Sequence, residues 1–184
     1  MRVVAGIYRG RILKSPADSK TRPTSDRLRE SLFSILTPRI NDDTRWLDLC
    51  AGTGAIGIEA LSRGAAFATF IDKSRKACAV IEQNLDMLGV PDEQTEVIAL
   101  AAENFTGRQH ETGWDIAFFD PPYSSDYSHV LFDFGSDTGN LLRDGGILIA
   151  EHHLKTELPD MVGHIRRWRL VKQGGACLSF YERD

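Results

Sequence analysis

Between residues 45 and 119 of this 184-residue chain, short apolar runs alternate with stretches of helical periodicity. The runs at 45–50, 67–71, 95–100 and 114–119 have strand length, and 55–63, 74–88 and 102–108 read as helices. Strands that alternate with helices form βαβ units, which close into a parallel sheet covered on both faces. The spacing continues with helices near 126–134 and 138–143, a strand at 146–151, and strands near 165–172 and 176–182 joined at Gly174-Gly175. Upstream, a hairpin is expected over 2–15, with strands at Val3-Val4-Ala5 and Ile12-Leu13 and a turn near Arg9-Gly10. A helix then runs from Ser25, its cap, to Leu36, with Leu28, Leu32, Phe33 and Leu36 on one face. The class is α/β, and in such open sheets ligands bind at the carboxyl ends of the strands.

The first strand of the alternating region runs into Gly52-Thr53-Gly54-Ala55-Ile56-Gly57, a G-x-G-x-x-G in the strand-turn-helix setting that gives the pattern meaning. Asp72 follows Gly52 by 20 residues at the end of the next run, where a carboxylate can accept from both ribose hydroxyls. These features indicate a nucleoside cofactor and admit two chemistries, a nicotinamide dehydrogenase and an S-adenosylmethionine methyltransferase. Asp48 favours the second, because a carboxylate beside the glycine turn suits an ammonium and a sulfonium and repels a pyrophosphate.

Asp120-Pro121-Pro122-Tyr123, after the run Ile116 to Phe119, adds a function that hydride transfer does not use. The lone pair of an exocyclic base amine is delocalised into its ring, so methylation needs acceptors that hold the N–H bonds and let the nitrogen turn pyramidal. An Asp carboxylate and a proline-held carbonyl are such a pair, and the two prolines stiffen the loop. Tyr123 offers a flat face for an extruded base. An adenine N6 amine in DNA or RNA would be served as well as a guanine N2.

One domain is the expectation at this length. Cys50, Cys78 and Cys177 are odd in number and widely spaced, which indicates neither a disulfide framework nor zinc, and fits a reduced cytoplasm. No signal-peptide or membrane-span pattern is read, and no metal constellation. The formal charge is −4, but residues 1–39 hold nine Lys and Arg against three acidic residues, a local +6 that leaves −10 for the remainder. A basic N-terminal segment on an acidic body reads as a polyanion grip. A non-catalytic RNA-binding factor also fits that segment.

The motifs Gly6-x-x-Arg9-Gly10-Arg11-x-Leu13, Arg22-Pro23-Thr24-x-Asp26-Arg27-x-Arg29-Glu30, Leu47-Asp48-x-x-Ala51-Gly52-Thr53-Gly54-Ala55-x-Gly57-x-Glu59-Ala60-Leu61-Ser62-Arg63-Gly64-Ala65 and Asp120-Pro121-Pro122-Tyr123 stand in that order. In this the chain resembles the bacterial 16S rRNA guanine-N2 methyltransferases of the RsmD type, nearly end to end. The resemblance implies a Rossmann-like class I methyltransferase fold with a mostly parallel seven-stranded sheet and a small N-terminal hairpin. It implies S-adenosyl-L-methionine as cofactor and 16S rRNA of the small ribosomal subunit as partner, for a cytoplasmic monomer without metal. Residues 1–24 would form the recognition extension and 25–184 the catalytic body.

Carried over by position, Asp48, Ala51, Gly52, Thr53 and Gly54 would hold the methionine part of the cofactor and Asp72 its ribose. Ala102 and Glu103 would lie at the adenine, where the family usually has Asp or Asn near position 101; Glu103 or backbone groups would take that contact. Asp120, Pro121 and Tyr123 would be catalytic, and Arg9, Arg11, Arg22, Thr24, Pro122 and Tyr123 would bind substrate. The family often has Glu at position 72 and an aromatic at position 50, where Asp and Cys stand here. His152 and His153 follow the fifth strand and are read either as lining the substrate cleft or, in preference, as an exposed rim pair, and Trp46, Trp114 and Trp168 are expected to pack in the core. Arg166, Arg167, Arg169 and Lys172 are read either as phosphate contacts or as edge-strand charges.

Overall fold

A computed structural model describes residues 1–15 and 26–184. Helix α1 (Asp26–Leu36) leads into the alternating region: β1 (Arg45–Leu49), α2 (Ala55–Ser62), β2 (Phe67–Asp72), α3 (Arg75–Leu88), β3 (Thr95–Ala99), α4 (Ala102–Thr106) and β4 (Trp114–Phe119). Then follow α5 (Ser128–Gly135), β5 (Leu142–His153), β6 (Met161–Val162), β7 (Ile165–Gln173) and β8 (Ala176–Arg183). One sheet results, in the order β3-β2-β1-β4-β5-β8-β7-β6. Strands β1 to β5 are mutually parallel, and the β5–β8, β8–β7 and β7–β6 pairs are antiparallel.

The central strands are apolar on both faces because helices cover both. Trp46, Phe70, Ile116, Phe118 and Ile149 face a core completed by α1, α2 and α3, while Leu47, Ile71, Ala117, Phe119 and Leu148 face one completed by α4 and α5. On α1, Leu28, Leu32, Phe33 and Leu36 are all buried, as their spacing requires. The Ser25 cap lies outside the described residues.

The N-terminal hairpin is closed by one bridge, Arg2 to Ile12, with Val3 N–H donating to Arg11 O and Leu13 N–H to Met1 O. Val4 and Ala5, expected in its first strand, turn their N–H groups to the Glu59 carboxylate of α2 at 2.7 and 2.9 Å. Ser62 holds the same segment, accepting from Tyr8 N–H at 2.9 Å and donating to Ala5 O at 2.5 Å. Val3 and Leu13 thereby join the main core.

Three details differ from the sequence reading. Residues 138–143 are not helical: Trp114 N–H donates to Leu141 O, and β5 begins at Leu142 opposite Trp114, so pairing with β4 prevails over a local helical spacing. Among the described residues the sheet has eight strands rather than seven, the extra one being the two-residue edge strand β6. Trp168 is 40% exposed. The β7–β8 register shifts between Arg167 and Arg169, and the indole lies against Phe180 with the Arg39 guanidinium over it. Trp46 and Trp114 are buried as expected. Among the described residues no helix is long and apolar enough to cross a membrane.

Candidate active site

The carboxyl ends of β1, β2, β4 and β5, the start of α4 and the β7–β8 hairpin surround one cavity of about 1070 Å³. Asp48, Ala51, Gly52, Thr53, Asp72, Ala102, Glu103 and all four residues of Asp120 to Tyr123 line it. The loops after β1, β2 and β4 and the start of α4 thus meet on one rim, at the carboxyl ends where ligands are expected.

The glycine turn is built by strand ends that hydrogen-bond across it. Ala51 N–H donates to Ile71 O at 3.0 Å, and Gly54, left-handed at φ 75°, precedes the first residue of α2. A Cβ at Gly57 would stand 2.4 Å from the Phe70 ring, so glycine is what lets α2 lie close on β2. Gly52 has φ +58° and nothing within 4 Å of an added Cβ, which leaves its backbone open to a ligand. Cys50 takes φ 62° without being glycine, a backbone cost found where surrounding structure enforces it.

Asp72 accepts from Gly52 N–H at 2.9 Å with one oxygen and from Ser74 N–H at 2.8 Å with the other. The carboxylate thus ties the glycine turn to the start of α3, and each oxygen keeps a second lone pair for a ligand hydroxyl. Asp48 is buried and accepts from Gly57 N–H at 2.9 Å. Its carboxyl is raised to about 7, by burial first and by neighbouring Asp72, against the downward pull of the Gly57 hydrogen bond. The Cys50 thiol is pushed up to about 12 by burial and then by Asp72, Asp120, Asp48 and Glu103. Four carboxylates therefore act on one point, a field that favours a cation, and the thiol is no nucleophile.

Asp120 N–H donates to Leu49 O at 3.3 Å, which sets the start of the Asp120-Pro121-Pro122-Tyr123 loop beside the glycine turn. Pro121 is buried and Pro122 exposed, and Ser125 N–H closes a turn onto Pro122 O. Tyr123 is 42% exposed and meets His153 edge-on, with ring centroids 5.3 Å apart.

Arg9 and Arg11 stand on the exposed face of the hairpin, away from the cavity walls, and Arg11 donates to Met87 O at 3.2 Å. Arg22 and Thr24 lie outside the described residues. Arg167 is bonded to Leu158 O and Asp160, which makes it part of the fold, whereas Arg166, Arg169 and Lys172 are exposed. The histidine pair is not an exposed pair: His152 is buried, bonded to Ser179 Oγ at 2.9 Å and shifted down by burial, while half-buried His153 lines the cavity. Glu151, Arg29 and the Gly174-Gly175 hairpin also line it and were not singled out from sequence. Glu151 could have been, as a residue near the end of a strand beside the Asp120 strand.

A doubly wound sheet with the order 3-2-1-4-5, a glycine turn after β1, an acid ending β2 and Asp-Pro-Pro-Tyr after β4 define a Rossmann-like methyltransferase of class I. A family model described as Conserved hypothetical protein 95 matches residues 1–182, and the chain belongs to that family, the RsmD type of methyltransferases. It is similar to ribosomal RNA small subunit methyltransferase D of Haemophilus influenzae, 38% identical over 174 residues, which cover 94% of this chain and 87% of the relative. The Escherichia coli (strain K12) protein of the same name is 34% identical over 184 residues, 100% of this chain and 90% of its own. The solved structure of Escherichia coli yhhF matches with a TM-score of 0.88 at 33% identity, over 100% of this chain and 98% of that one.

Proposed function

We propose that this chain transfers a methyl group from S-adenosylmethionine to the exocyclic N2 amine of a guanine in 16S rRNA of the small ribosomal subunit. The observation that carries the reading is the convergence of Asp48, Asp72, Glu103 and Asp120 on one cavity, the last of them opening a proline-stiffened loop. A ring of carboxylates fits a cofactor bearing a sulfonium and an ammonium, and the names of the 34–38% identical relatives support an rRNA substrate.

When bound, the cofactor supplies an electrophilic methyl on sulfur. Asp72 holds its ribose with the lone pairs left by Gly52 and Ser74. Asp48 and the Ala51 to Gly54 turn hold the methionine part, and Ala102 with Glu103 borders the adenine. On the substrate side, the Asp120 carboxylate and the Pro121 carbonyl accept the amine N–H bonds, which strengthen as acceptors are needed in the transition state. Tyr123 stacks on the extruded base with Pro122 beside it, and Arg9, Arg11, Arg22 and Thr24 engage the RNA around it.

The test is methyl incorporation from labelled cofactor into small subunits of cells lacking the protein, followed by mass mapping of the modified nucleoside. N2-methylguanosine at one position is expected. Label in an adenosine, or only in DNA, would overturn the reading.

A further inference from the structure

Beyond the four loops, the cavity contains a side chain of defined hydrogen-bonding sense. His153 ends β5, the strand next to β4, so it stands beside the loop that begins at Asp120. Its backbone is fixed: the carbonyl accepts from Thr156 N–H at 2.8 Å, and the next residue, Leu154, donates to Gly175 O at 2.9 Å. Lys155 N–H donates to His153 Nδ1 at 3.1 Å. A backbone N–H can only donate, so Nδ1 is the acceptor and the neutral ring carries its proton on Nε2. That edge faces the Gly174-Gly175 hairpin, where even an added Cβ on Gly175 would remain 3.8 Å from Nε2. Among the described residues Nε2 has no hydrogen-bond partner. The ring also meets Tyr123, the stacking face, at 5.3 Å and 65°.

We infer that His153 is a specificity-determining residue that donates from Nε2–H to the O6 carbonyl of the target guanine; this rests on the guanine-N2 reading above. With the amine at Asp120 and the ring on Tyr123, the rest of the Watson–Crick edge points along the rim away from Asp120, toward the end of β5. With its N2 amine at Asp120, guanine offers an O6 acceptor at the far end of that edge, whereas adenine with its N6 amine there offers only a C2–H and leaves the donor unpaired. Sites that read a base or substrate group by a committed hydrogen bond reject analogues lacking it, because the protein group is then left unpaired. Asp120 and Pro121 accept from any exocyclic amine, so a fixed donor supplies the discrimination they lack.

The test is a double-mutant cycle on small subunits reconstituted with guanine or 2-aminopurine at the mapped position. 2-Aminopurine keeps the N2 amine and lacks O6; it also lacks N1–H, so only its coupling to residue 153 is informative. His153→Ala should lower kcat/KM on guanine about tenfold to a hundredfold, but should lower it little on 2-aminopurine. His153→Gln, which keeps an N–H donor, should restore part of the loss. S-Adenosylmethionine affinity, measured by calorimetry, should be parental in both variants, which separates a lost base contact from a damaged fold. An equal loss on the two bases would overturn the inference. A parental protein that methylates no guanine in the unsubstituted particle would instead overturn the function reading beneath it.

Discussion

Glu59, fully buried in the middle of α2, accepts the backbone N–H of Val4 at 2.7 Å across 55 residues of sequence. Ala5 N–H reaches the other carboxylate oxygen, which also pairs with Arg63 at 2.8 Å. The N-terminal segment is therefore held by a buried charge. Glu59→Gln replaces one acceptor oxygen by a donor and leaves Arg63 without its counter-charge. A loss of about 3 kcal/mol in unfolding free energy is expected, read from urea midpoints at constant slope. Ser62→Ala should cost less, about 1 kcal/mol.

Asp72→Ala should weaken S-adenosylmethionine binding by about 1.5–3 kcal/mol for each ribose hydrogen bond removed. It also releases Gly52 N–H, so Asp72→Asn, which keeps one acceptor, should be intermediate. Calorimetric affinities that are equal for all three proteins would exclude Asp72 from the ribose site.

Asp120→Ala is expected to abolish turnover while leaving cofactor affinity near the parental value, since its role concerns the amine as the nitrogen becomes pyramidal. Tyr123→Ala should lose less, about 1–3 kcal/mol of base stacking. Single-turnover rates on the ribosomal particle check both, and parental rates for the Asp120 variant would remove it from the chemistry.

Asp48 gives the apoprotein a pH signature. Burial raises its folded-state pKa from the ordinary 3.8 to about 7. As pH rises past 3.8 the unfolded chain loses this proton first, so the group favours the folded state fully at low pH. That contribution declines until pH passes about 7. Asp48→Asn retains an acceptor for Gly57 N–H and removes the titration. Relative to the parent, the variant should gain on the order of a few kcal/mol between pH 5 and pH 8, while losing affinity for the cationic cofactor. Denaturation curves whose difference is the same at both pH values would count against a raised Asp48.

Arg9 and Arg11 are exposed cations on the hairpin, and replacing both by Glu should reduce methylation of the particle without changing cofactor affinity. The slope of log affinity against log salt should fall by about two if each contacts one phosphate. Deleting residues 1–15 is a poor substitute for this test. It would uncover the sites of buried Val3 and Leu13 and orphan the Glu59 carboxylate, so loss of folding is expected.

The sheet and its rim were legible because alternation, the glycine turn and strand-end acids are local patterns. Asp72 ends one strand and Asp120 follows another, and parallel pairing necessarily brings those strand ends to one side. Glu59 and Asn84 were not legible, since their partners are distant backbone groups. Asn84 bonds Lys14 N–H and O, and donates to Thr53 O at 3.0 Å, joining the hairpin to the glycine turn. A hint existed in α2: a helix with Ile56, Ile58, Ala60 and Leu61 around its circumference has no wet side, so a Glu within it must be paired. Residues 138–143 were misread because Leu141 and Leu142 suit either period, and only the β4 partner decides between them.

Strand β8 follows β6 and β7 in sequence, yet it sits inside the sheet between β5 and β7. As the polypeptide is synthesised, β5 has a neighbour only on its β4 side until residues 176–183 emerge. Before then it presents an unpaired edge carrying Ile147 and Ile149, of the kind that recruits other chains. The same strand carries Glu151 and His153 to the rim. A nascent chain can therefore complete its glycine turn early but acquires a finished cavity rim only when β8 docks. Interrupted synthesis should leave an inactive, aggregation-prone product rather than a partly working enzyme.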